Sequence, residues 1–91
     1  MRLKLREAIL DALVDDPESI IQIYEYTSYL GMNVSRDQIL EILNDLLIER
    51  RIKVVDPKNF NGNSLKALIN IEDLWFDLTE TGKIEWDAID E

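Results

Sequence analysis

The spacing of apolar residues changes once along this 91-residue chain, and that change limits the folds open to it. Up to about residue 50 the apolar positions recur with helical spacing; from Ile52 onward they alternate as strands do. Between Arg2 and Val14, residues Leu5, Ala8, Ile9, Ala12 and Leu13 share one helical face. Leu3, Leu10 and Val14 form a second ridge roughly opposite. Asp15-Asp16-Pro17 stops this helix and starts another, with Asp16 as the expected N-cap and Pro17 at the first helical position. That second helix is expected to run to about Leu30, with Gly31 in the left-handed conformation that ends helices. Ser35 and Gln38 stand at capping-box spacing, which predicts a third helix from Arg36 to about Arg50. Its inner face is Ile39, Ile42, Leu43, Leu46 and Leu47.

The rest is strand-like. Ile52, Val54 and Val55 predict a short strand ended by Asp56-Pro57. Residues 59–64 predict a loop, with a tight turn at Asn61-Gly62. Leu65–Ile71 fits strand or helix, with strand the reading adopted. Leu74, Phe76 and Leu78 lie on one face of a further strand. Thr79 is placed to cap a final helix from Glu80 to about Ile89, returning Ile84, Trp86 and Ile89 toward the body. The expectation is one α+β domain over residues 1–91: a three-helix core, a small antiparallel β hairpin, and a short acidic C-terminal helix.

Two stretches carry a family resemblance. YLGMNVSRDQILEILNDLLIERRI resembles the second helix, turn and third helix of the winged helix-turn-helix superfamily, with Leu43, Leu46 and Ile52 at its usual L-x-x-L-x-x-x-x-x-I spacing. WFDLTETGKIEW resembles its common ending, an aromatic strand followed by Leu-Thr and a glycine-bearing helix start. The resemblance covers roughly Arg2 to Ile89. It implies a winged-helix fold and a role in binding DNA or protein, since members of the superfamily do both. Two departures stand out. The span from Ile52 to Leu74 is long for a simple wing, and its basic residues are Lys53, Lys58 and Lys66 alone.

Composition narrows the chemistry. There is no cysteine and no histidine, which removes disulfides, thiolate nucleophiles, zinc sites and histidine-based catalysis. Hydrophobic residues make up 46%, enough for a packed core, yet no run approaches the ~20 apolar residues that span a bilayer. MRLKLREAIL is basic and amphipathic, but Glu7 and Asp11 interrupt it and no apolar signal-peptide core follows. A cytoplasmic location is expected. The acid groups Asp11, Asp15, Asp16 and Glu18 lack the glycine-spaced loop of a dedicated calcium site. No metal, cofactor, small-molecule substrate or catalytic activity is expected.

Net charge is −9, and it is unevenly placed. Residues 1–71 hold nine basic and eleven acidic groups, while residues 72–91 hold one lysine and eight acids. A duplex-binding protein draws much of its affinity from Lys and Arg on phosphates, and this chain has no such footprint.

The third helix sharpens the point, because DNA-binding winged helices read the major groove with it. If Ile39, Leu43 and Leu46 face the core, the outward arc holds Asp37, Glu41, Asn44, Asp45, Ile48 and Arg51. Asp37, Glu41, Asp45 and Glu49 also recur every fourth residue, where like charges cost ~0.2–0.5 kcal/mol per pair. This stripe is either a solvated face or a dock for a basic surface. Tyr26, Thr27 and Leu30 are expected to pack inward, leaving Tyr29, with Tyr24, as the interface candidate beside Asp37, Glu41, Asp45 and Ile48. Leu3, Leu10 and Val14 are either covered within the chain or a self-complementary dimer patch.

The expected function is therefore non-catalytic and regulatory: an acidic winged-helix module that binds protein, either a second copy or a basic partner. The alternative is a dimeric DNA-binding regulator using Arg2, Arg6, Arg51, Lys58 and Lys66.

Overall fold

The computed structural model describes residues 4–56 and 71–89. Among these, the order is α1 (Leu5–Leu13), β1 (Glu18–Ser19), α2 (Ile20–Tyr29), α3 (Arg36–Ile48), β2 (Ile52–Asp56), a 3-10 turn (Ile71–Asp73), β3 (Trp75–Leu78) and α4 (Glu80–Asp87). The architecture is α+β: four helices and a three-stranded antiparallel sheet, an arrangement compatible with a winged-helix-like fold.

The helix boundaries follow from local chemistry. Gln38 N–H donates to Ser35 Oγ over 3.1 Å, and Ser35 N–H donates to Gln38 Oε1 over 2.7 Å, so the expected capping box opens α3. Gly31 has φ +82° beyond the end of α2. Its N–H donates to the Ser28 carbonyl and Met32 N–H to the Thr27 carbonyl, the paired bonds of a Schellman ending. The same bonds close α3, from Arg50 to Leu47 and from Arg51 to Leu46, although here the left-handed residue is Arg50 at φ +60°.

One boundary is corrected. The second helix does not start at Pro17. Residues 14–16 bend, and Glu18–Ser19 pair with β3 before α2 opens at Ile20. Ser19, not Asp16, is the N-cap, and Gln22 Oε1 accepts its N–H over 2.9 Å. Pairing with β3 draws this segment into extended backbone, and the three-residue spacing of Ser19 and Gln22 then favours a helix start there.

β3 is the central strand, antiparallel to both neighbours. Glu18 faces Phe76 and Ser19 faces Trp75 on one side; Ile52 faces Leu78 and Lys53 faces Asp77 on the other. The β2 register shifts between Val54 and Asp56. Leu74, Phe76 and Leu78 are buried, as their alternation predicts. They close the core over Ile9, Leu13, Ile23, Ile39, Leu43 and Leu46. The 59–64 loop, and Leu65–Ile71 apart from Ile71 itself, lie outside the described residues; Ile71 opens the 3-10 turn.

α1 packs against α2, α3, α4 and β3, and its burial corrects another expectation. Leu10, placed on an exposed second ridge by spacing alone, is 0% exposed. Surrounded on several sides, α1 buries both ridges. Val14 is half-buried against the core, and Leu3 lies outside the described residues. Among the described residues no helix is long and apolar enough to cross a membrane.

Candidate functional site

α3 presents Asp37, Glu41 and Asp45 to solvent on successive turns, about 6 Å apart along the axis. Ile48 stands at the C-terminal end of this face with 55% of its surface exposed. Tyr29, in the last turn of α2, is 84% exposed, and Tyr24 is also exposed. All five residues named for a protein-binding face are therefore on the surface. Two neighbours are not where spacing put them. Asn44 is buried at the margin of the core rather than outward, because Leu43 and Leu47 draw the helix down on either side of it. Leu30 is exposed rather than packed inward: the Schellman turn ends α2 there and carries the chain away from the core.

The fourth acid of the stripe is engaged differently. Glu49 caps the C-terminal end of α3, where the helix dipole disfavours a negative charge. Arg6 of α1 offsets this, its Nη2 lying 2.7 Å from Glu49 Oε1. Arg6 also clasps Glu85 of α4, Nε to Oε2 at 2.6 Å and Nη2 to Oε1 at 2.9 Å. These bonds to Arg6 hold both carboxyls below their ordinary range and push the Arg6 guanidinium up. Arg51 Nε lies 3.3 Å from the same Glu85, too oblique for a hydrogen bond but close enough for charge pairing. Arg51 Nη1 donates to the Thr81 carbonyl. Arg36 pairs with Glu72.

The two described arginines named for DNA contact, Arg6 and Arg51, thus both face carboxylate. A phosphate reaching Arg6 would compete with two carboxylates already bonded to it. Arg2, Lys58 and Lys66 lie outside the described residues.

Asp11, on α1, joins three helices. Its Oδ1 accepts from Trp86 Nε1 of α4 over 3.0 Å, and its Oδ2 accepts from the hydroxyl of Tyr26 on α2. Trp86 accordingly packs on the core, as expected. Ile84 does not: it is 63% exposed, because α4 turns the Trp86 side inward and Ile84 lies about 200° away around the helix. Spacing alone did not reveal the Asp11 junction. Its one local signal is that half-buried Tyr and Trp need partners for their polar tips, and an acid on a neighbouring helix can satisfy both. Among the described residues no cluster of three or more acidic side chains is arranged to hold a metal ion. Compared with family models, curated proteins and solved structures, the chain finds no match.

Proposed function

We propose that this chain is a non-catalytic, winged-helix-like module that regulates a basic protein by binding it. The observation that carries this reading is an imbalance of pairing. Arg6, Arg36 and Arg51 face carboxylates of the same chain, while Asp37, Glu41 and Asp45 stand outward on α3. Cationic charge is consumed internally and anionic charge is displayed.

The order of helices and strands, with a central β3 and the α2–α3 pair, supports the winged-helix reading. In that arrangement α3 is the helix that would face a partner, and in a DNA-binding member it would enter the major groove. Three carboxylates on that face are repelled by phosphate and attracted by Lys and Arg. A binder with no catalytic group acts by occupying its partner's surface.

The test is fluorescence anisotropy with two labelled probes, a mixed-sequence DNA duplex and an oligolysine peptide, at low and moderate salt. The peptide is expected to bind, to weaken with salt, and to weaken further on combined Asp37→Asn, Glu41→Gln and Asp45→Asn substitution; the duplex is expected not to bind. Duplex binding that falls steeply with salt, or no peptide binding at low salt, overturns the proposal.

A further inference from the structure

Val14, just past the end of α1, lies where two depressions meet. One, of about 430 Å³, is floored by Val14, Ile84 and Trp86 and edged by Glu80, Lys83 and Asp87 of α4. Its apolar content includes Ile84, an aliphatic side chain left largely in water. The other, of about 480 Å³, is lined by Asp11, Asp15, Asp16, Glu18 and Glu25 with Gln22 and Tyr26, and no basic side chain lines it.

The two are joined structurally as well as spatially. Trp86 lines the apolar depression, Tyr26 the acidic one, and each donates to Asp11 between them. The floor is therefore held by bonds among α1, α2 and α4, not by a loop. Glu18 adds a supporting sign: desolvation and then the charge of Asp16 push its carboxyl up, a strain that an incoming cation relieves.

Resting on the reading of the chain as a binder of basic protein, we propose that this continuous surface docks an amphipathic basic segment of that partner. One large apolar side chain sits over Val14, Ile84 and Trp86, and adjoining lysines or arginines enter the groove of Asp15, Asp16, Glu18 and Glu25. Charge selects this occupant over a second copy of the chain, which would bring its own net charge of −9 against the same carboxylates. An anionic membrane surface is repelled for the same reason. The apolar depression sets the register, since area without charge gives little orientation and charge without a pocket gives little specificity.

The experiment compares two labelled peptides of equal charge, oligolysine and an oligolysine with central leucines, titrated into the full chain. The leucine-bearing peptide is expected to bind about tenfold more tightly, from part-burial of an aliphatic side chain. Ile84→Ser removes that advantage and leaves oligolysine binding unchanged. Combined Asp15→Asn, Asp16→Asn and Glu18→Gln substitution weakens both peptides. In an NMR titration the indole N–H resonance of Trp86 shifts with the leucine-bearing peptide. Equal affinities for the two peptides, or an undiminished leucine advantage in Ile84→Ser, overturns the docking site. If binding instead responds only to the Asp37, Glu41 and Asp45 substitutions, the general reading stands and this site falls. If neither peptide binds at low salt, both fall.

Discussion

Gly82, in the first turn of α4, lies against the backbone of Arg51: a Cβ on Gly82 would stand 1.9 Å from the Arg51 carbonyl oxygen. Around this approach the hydroxyls of Thr79 and Thr81 both donate to the Arg50 carbonyl, at 2.6 and 2.8 Å. Thr79 Oγ1 also accepts from Gly82 N–H, and Thr79 N–H donates to the Arg51 carbonyl. The end of α3 and the start of α4 are thus fastened backbone to backbone. Only a residue without a side chain fits.

Gly82→Ala should therefore cost about 1–3 kcal/mol or more, since the atom it meets is backbone and cannot rotate away. For a domain of this size each kcal/mol lowers Tm by about 4–8 °C. Thermal unfolding followed by circular dichroism checks it. A Tm equal to that of the parent protein would show that the two segments separate freely.

Arg50 should respond in the opposite direction. Its φ of +60° places a side chain in a conformation that costs an L-residue roughly 1–2 kcal/mol. Glycine removes that cost but loses more freedom on folding, by roughly 0.5–1 kcal/mol. Arg50→Gly is expected to stabilise by up to about 1 kcal/mol, read as a higher urea midpoint at unchanged slope. The carbonyl that receives both threonine hydroxyls is retained. A lower midpoint would mean that the arginine side chain contributes more than its backbone costs.

At the Asp11 junction, removing the acceptor should cost more than removing its charge. Asp11→Ala leaves the Tyr26 hydroxyl and the Trp86 N–H without their shared partner, at about 1–3 kcal/mol. Asp11→Asn keeps one carbonyl acceptor and should lose less. In a double-mutant cycle with Trp86→Phe, the coupling should be measurable because both side chains share one bond. Additive effects would place the stabilisation elsewhere.

The Arg6 cluster predicts an acid response. Glu49 and Glu85 titrate lower in the folded chain than their ordinary carboxylate values, chiefly through hydrogen bonds from Arg6. Groups of that kind contribute stability above the unfolded carboxylate pKa of ~4.3, and the contribution is lost as pH falls through the lower folded values. Arg6→Gln should cost about 1 kcal/mol near neutral pH, a modest figure because the cluster is partly exposed to solvent. The difference from the parent should shrink as the medium is acidified below about pH 4. A gap of constant size across that range would assign the effect to packing of the Arg6 stem instead.

What was legible in the sequence was local. Ser35 with Gln38, Gly31 after α2, Thr79 before α4 and the alternation of Leu74, Phe76 and Leu78 each specify backbone geometry through neighbours a few residues away. Each is found in that role. The outward placing of Asp37, Glu41, Asp45 and Ile48 was legible for the same reason, because one buried face of a helix fixes the opposite one.

Tertiary structure decided the remainder. β1 is two residues long and exists only because β3 lies beside it, so no pattern within residues 14–19 could announce it. Leu10 is buried because other elements surround α1, and Ile84 is exposed because Trp86 turned inward to reach Asp11, 75 residues earlier. Arg6 meets Glu85 across 79 residues, which turns an apparent phosphate contact into an internal ion pair. Helical and strand periods record which side of an element is apolar. Which charges remain free for a partner depends on how many of that element's sides the rest of the chain comes to cover.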